Sequence, residues 1–118
     1  MHCILLVILS CSSWRAAGLN AAHTTAAFAD TYTTQRVFTQ PNTYERNPLA
    51  VPFQTHGSPV AYSSTLAGTY AASFLADRMK HSHNRVLRRI WWLPQAGLTA
   101  AHIWAIQNNV RVYNRFAK

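Results

Sequence analysis

Asp30-Thr31-Tyr32-Thr33-Thr34, followed after a break by Glu45-Arg46-Asn47-Pro48-Leu49, is the stretch from which the fold is read. It holds two of the three acidic residues in a chain of 118 residues and formal charge +8. The first half lies in an Ala-rich segment with no Gly or Pro between Leu19 and Pro41, which predicts a helix over 19–38. The many threonines oppose it, because β-branching costs helix stability. At helical spacing Asp30 shares a face with Thr33 and Thr34. The second half lies in a segment, 39–58, where Pro41, Pro48, Pro52 and Gly57 exclude a long helix or a central strand. Its apolar residues Leu49, Val51 and Phe53 predict a loop that folds back onto the rest of the chain rather than dangling.

Beyond the loop come two long runs without formal charge, 30 residues between Arg46 and Asp77 and 21 residues over 90–110. Pro59 suits the first turn of a helix over 59–77. Ser64, Gly68, Ala72 and Ala76 recur every four residues along it, a stripe that lets two helix backbones approach. Gly97, Ala101 and Ala105 make a second stripe in 90–110, and Pro94 either kinks that helix or marks its start. Between the two runs, 78–89 carries five Lys or Arg, and Trp91 and Trp92 follow it directly, as interfacial anchors do. The expectation is an all-α bundle: one helix plus an antiparallel, membrane-crossing hairpin whose stripes face each other. His102 lies mid-run, and an unpaired acid in apolar surroundings is costly. Asp30 is therefore expected to bond Thr33 or Thr34 locally and a partner across the bundle, with His102 one candidate.

At the N-terminus, the apolar run 3–9 is followed by small residues up to Gly18, the shape of an export signal cut after Gly18 or of an uncleaved anchor. The division expected is 1–18 as signal or anchor and 19–118 as a single helical domain. Both cysteines, Cys3 and Cys11, fall in the first part, so a cleaved chain holds no thiol chemistry and no Cys-based metal site.

The order of these motifs resembles a class of small, uncharacterised bacterial membrane-associated proteins. They share an export signal, a D-x-x-T-T helix, an E-x-N-P-L turn, and two helices flanking a basic, His-bearing segment. The matching residues are Asp30, Thr33 and Thr34, then Glu45, Asn47, Pro48 and Leu49, then 78–89, and the resemblance covers 20–107. The N-terminus departs from it, with no Lys or Arg before Ile4. The resemblance implies membrane association and no particular activity.

No nucleophile elbow, phosphate loop, zinc-protease helix or cysteine cluster is present in the sequence, so enzyme chemistry has no motif behind it. His81 and His83 are two apart and do not share a helix face; neither a metal nor a cofactor is expected. The functional polar motif expected is Asp30, Thr33, Thr34, Glu45, Asn47, Pro48 and His102. The function expected is a structural or interaction role in a small helical membrane protein; the alternative is an exported soluble basic domain that binds anionic partners. The partner is then the lipid bilayer, with a protein partner or a second copy as further options, and nucleic acid is disfavoured for want of a recognised motif. The positive-inside rule sets 78–89 in the cytoplasm and the 39–58 loop outside the bacterial inner membrane.

Overall fold

The computed structural model describes residues 14–116. The apolar run at 3–9, Cys3 and Cys11 lie outside the described residues. The chain is all-helical there, with no strand: α1 Trp14–Val37, α2 Val51–Gln54, α3 Ser58–Lys80, α4 Arg85–Arg89 and α5 Leu93–Phe116. Helix α1 starts five residues before the expected Leu19, so it runs through Gly18 without a break. Threonine is tolerated in the helices because its hydroxyl returns to the preceding turn: Thr65 donates to the Ala61 carbonyl at 2.9 Å and Thr99 to the Gln95 carbonyl at 2.7 Å. Helix α1 ends where Thr43 donates to the exposed carbonyls of Val37 and Gln40, each at 2.9 Å, with Asn42 in the left-handed region at φ 60°. Gly57, at φ 96°, turns the chain into α3, and Asn84 caps α4 by accepting from Val86 N at 2.8 Å. Pro94 sits in the first turn of α5, so it marks a start and not a kink.

Helix α1 is the hub. Antiparallel α3 packs on one side of it, paired through Thr31–Thr65 and Asn20–Ser73. Parallel α5 packs on another, paired through Asn20–Gln95, Asp30–His102 and Arg36–Tyr113. The expected hairpin with interlocking stripes is corrected here: α3 and α5 each pack chiefly on α1 and much less on each other. Gly68 and Gly97 are exposed, and a Cβ at either would have nothing within 4 Å. Ala101 is also exposed, and Ser64 and Ala105 are half-buried. The close approach to α1 is made by Ala61, Thr69, Ala72 and Ala76, one residue out of phase with the first half of the expected stripe. No described helix is long and apolar enough to cross a membrane. Hydroxyls between Ser63 and Ser73, and His102, Gln107, Asn108 and Asn109, dilute the two uncharged runs. A run without charge is not for that reason hydrophobic.

The packing is turned inside out. The buried apolar residues are six alanines and Val37, whereas Asn20, His23, Thr24, Thr31, Thr69 and Gln95 are buried polar. Among the described residues no Leu, Ile, Phe, Trp, Tyr or Met is fully buried. Trp14, Tyr70, Phe74 and Trp104 are all more than half exposed.

Candidate functional site

Two helix seams build the site. On α5 Gln95, His102 and Asn109 recur every seven residues, and on α1 Asn20, His23, Ala27, Asp30 and Thr34 alternate by three and four. Spacing of that kind keeps one stripe of each helix facing its neighbour. At the first level, the fully buried Gln95 donates its amide to Asn20 Oδ1, which also accepts from Ser73 at 3.0 Å. One buried residue thus ties all three long helices together.

At the second level Asp30 Oδ2 accepts from His102 Nδ1 at 2.8 Å, which fixes the proton of that imidazole on Nδ1. Asp30 Oδ1 accepts from Asn109 at 3.2 Å and Thr34 at 3.5 Å. The Asn109 amide also reaches Thr33 at 3.1 Å and Thr34 at 2.9 Å, so its two hydrogens serve three acceptors. Asp30, Thr33, Thr34 and His102, singled out from the sequence, therefore come together in one network. Asn109 belongs to it too, and His23 lies against it through a ring contact with His102; both escaped the sequence reading. Their signal was the seven-residue recurrence of polar side chains inside segments otherwise free of charge.

The Glu45, Asn47 and Pro48 motif does not join that network. Glu45 accepts from Asn47 N at 2.8 Å, Asn47 Oδ1 accepts from Leu49 N at 3.1 Å, and the Asn47 carbonyl accepts from Ala50 N and Val51 N. It is a self-closing turn that launches α2, with Pro48 inside it. Gln35 fastens this region to α1 by donating to the Gln54 carbonyl at 2.9 Å and accepting from Ser58 at 3.2 Å. Asn47, Phe53 and Gln54 thereby roof a cleft floored by His23, Ala27 and Asp30. The cleft walls are α3, at Ser64, Thr65 and Gly68, and α5, at Leu98 and His102.

His23 is 2% exposed, with its ring centroid 5.6 Å from that of His102, and its buried Nδ1 has no hydrogen-bond partner in the protein. Burial, and secondarily charge on His102, holds its imidazole below the ordinary value of 6.5, which keeps it neutral at pH 7. No group of three or more His, Cys, Asp or Glu among the described residues is placed to hold a metal. No protein family model, curated protein or solved structure matches the chain.

Proposed function

We propose that the chain is a small helical protein that docks on an anionic membrane surface and acts by interaction rather than catalysis. The observation that carries this reading is the inverted packing. A soluble domain buries its large apolar side chains; this one buries alanine, threonine and amides and turns Trp14, Trp92 and Trp104 outward. Large exposed apolar groups rimmed by polar ones mark a surface that is covered in use.

Charge decides which cover fits. The N-terminus of α1, the C-terminus of α3 and α4 meet at one end of the bundle. Arg78, Lys80, Arg85, Arg88 and Arg89 lie there, beside exposed Trp14, Val86, Leu87, Trp92 and Leu93. Lys80 stands over the Trp91 ring at 5.4 Å, and Trp92 Nε1 donates to the Arg89 carbonyl at 3.1 Å, so rings and cations are held as a unit. Basic side chains on headgroups with aromatic and aliphatic side chains at the acyl boundary is an interfacial arrangement. The helices then lie at the surface and do not span, in keeping with their hydropathy. The motif order that resembles bacterial membrane-associated proteins supports the same setting, the bacterial cell envelope.

Vesicle co-sedimentation tests this. The full chain is expected to pellet with vesicles containing phosphatidylglycerol and not with pure phosphatidylcholine, and to leave the former at 1 M salt, where the screening length is only about 3 Å. Arg88→Glu with Arg89→Glu should weaken binding at least tenfold. Equal binding to neutral vesicles, unaffected by salt and by the substitutions, refutes the anionic-surface reading.

A further inference from the structure

We propose that the seam between α1 and α5 is an acid-operated latch: it holds α5 against α1 at neutral pH, and a proton on the His23 imidazole releases α5 while α3 stays in place. This goes beyond membrane docking and does not depend on it. Three titratable groups meet in that seam. His23 and Asp30 stand seven residues apart on α1, and His102 of α5 touches both. Its ring centroid lies 5.6 Å from that of His23, and its Nδ1 donates to Asp30 at 2.8 Å.

A proton on His23 finds no acid to answer it. The residue is 2% exposed, and its Nδ1 has no hydrogen-bond partner among the described residues. Protonated, that nitrogen becomes a second donor without an acceptor on a buried cation, which is costly unless a carboxylate pairs with it. The chain holds only three carboxylate side chains. Asp30 is committed to His102 and Asn109, Glu45 closes its own turn on Asn47 N, and Asp77 stands 3.3 Å from His81. The α3 and α2 residues around the cleft floored by His23 are uncharged, namely Ser64, Thr65, Gly68 and Thr69, then Phe53 and Gln54. The charges of α3, Asp77, Arg78 and Lys80, lie at its C-terminal end. Arg15 and Arg36 on α1, and Arg111 and Arg115 on α5, are at least two turns along their helices from His23 and His102. The one titratable group of α5 that faces His23 is His102, whose charge repels a second one.

A buried cation is relieved when water reaches it, so one wall has to leave. The wall made by α3 does not respond to acid: Ala61, Thr69, Ala72 and Ala76 are its buried residues, and Thr31–Thr65 and Asn20–Ser73 are bonds between groups that do not titrate. The wall made by α5 carries the like charge, and α5 packs much less on α3 than on α1, so little else retains it. The Asp30–His102 pair resists the opening. At 19% and 29% side-chain exposure it is partly screened by water, whereas an unpaired ion at His23 is not. Direction follows from linkage. Burial holds the closed form's proton affinity below the ordinary 6.5, and the open form regains that value. Between the two values, each pH unit of acidification shifts the ratio of open to closed by about tenfold for one proton.

The test measures two distances by double electron–electron resonance in the full chain, with Cys3→Ser and Cys11→Ser removing the native thiols. Spin labels are attached after Thr25→Cys on α1, paired with Ala101→Cys on α5 or with Ala67→Cys on α3, all at exposed positions. At pH 8 both pairs should give one narrow distribution. At pH 5 the α1–α5 distance should lengthen and broaden, reversibly and with a midpoint below 6.5, while the α1–α3 distance holds. His23→Gln, with normal helicity by circular dichroism, should keep α5 closed at pH 5. A titration of ¹⁵N-labelled histidine needs no variant, and the His23 imidazole should take up its proton over the same pH interval as the opening. An α1–α5 distance that stays fixed after His23 is protonated overturns the proposal. So does a joint lengthening of both distances, which is global unfolding, or an opening that survives His23→Gln or falls outside the His23 titration.

Discussion

At the scale of single residues, His23 makes stability depend on pH with a definite sign. Its folded-state affinity for a proton is lowered below the ordinary 6.5, so below that pH the unfolded chain binds more protons than the folded one. Its contribution is therefore fully present above about pH 6.5 and lost as the solution is acidified. Denaturant melts of the full chain between pH 8 and pH 5 should show stability falling with acidity, and His23→Gln should flatten part of that slope; an identical slope in the variant would place the sensitivity elsewhere. Asp30 makes a separate prediction. It accepts from His102 and Asn109 across the bundle; Asp30→Ala strands the His102 donor, since Asn109 keeps Thr33 and Thr34, while Asp30→Asn keeps an acceptor. Stranding partly buried polar partners costs about 1–3 kcal/mol, and the asparagine variant should lose clearly less in the same melts. The Asp30–His102 pairing was legible because an acid and a histidine in uncharged segments have few other partners. Which residue of α5 would reach Asp30 beside His102 was not legible, since three residues of the same polarity, Gln107, Asn108 and Asn109, stand in a row and only the register of α5 selects one.

At the scale of elements, the sequence carried helix positions better than helix partners. Pro41, Gly57 and Pro94 bound the three long helices within a few residues of where they run, because backbone restrictions act locally. The short helix α2 was hidden in a segment that its prolines marked as loop: four residues are too few to show a period, and Pro52 is permitted in a first turn. The small-residue stripes misled because their alanines and glycines record where a backbone could approach, not which backbone does. Helix α1, with Ala16, Ala26 and Ala27 buried, is the element that α3 approaches, and of the stripe residues only Ala72 and Ala76 are buried. This separates two sets of substitutions. Ala72→Leu on the α1-facing side, where the residue is 8% exposed, should cost about 1–3 kcal/mol through overpacking. Gly97→Leu on the open side should cost nothing and gain up to about 1 kcal/mol of helix propensity. Thermal melts of the two variants decide it, and a destabilised Gly97→Leu would mean that a neighbour covers that face.

At the scale of the whole molecule, the polar seams and the apolar exterior are two sides of one arrangement. Hydrogen bonds such as Asn20–Gln95 and His102–Asp30 fix the register of three helices, but each contributes a net of only about 1 kcal/mol in water. Burial of large side chains, which usually supplies most of the stability of a fold, is withheld because Phe74, Leu75, Ile103 and Trp104 face outward. An isolated bundle of this kind has little to offset the entropy of ordering its chain, so it should be marginal until its surface is covered. Composition alone did not reveal this, since the apolar fraction of 49% is that of an ordinary globular chain; only the assignment of those residues to outer faces does. On the proposal that an anionic membrane surface is that cover, stability should depend on lipid. A surface that binds the folded state alone stabilises it by about 2.7 kcal/mol at a hundredfold excess over the dissociation constant, and for a domain near 100 residues each kcal/mol raises Tm by roughly 4–8 °C. Phosphatidylglycerol vesicles should therefore raise Tm by roughly 10–20 °C, measured by circular dichroism, while phosphatidylcholine vesicles leave it nearly unchanged. Binding without a rise in Tm would mean that the basic end attaches to lipid equally well when the chain is unfolded, and that the outward-facing aromatic residues take no part in docking.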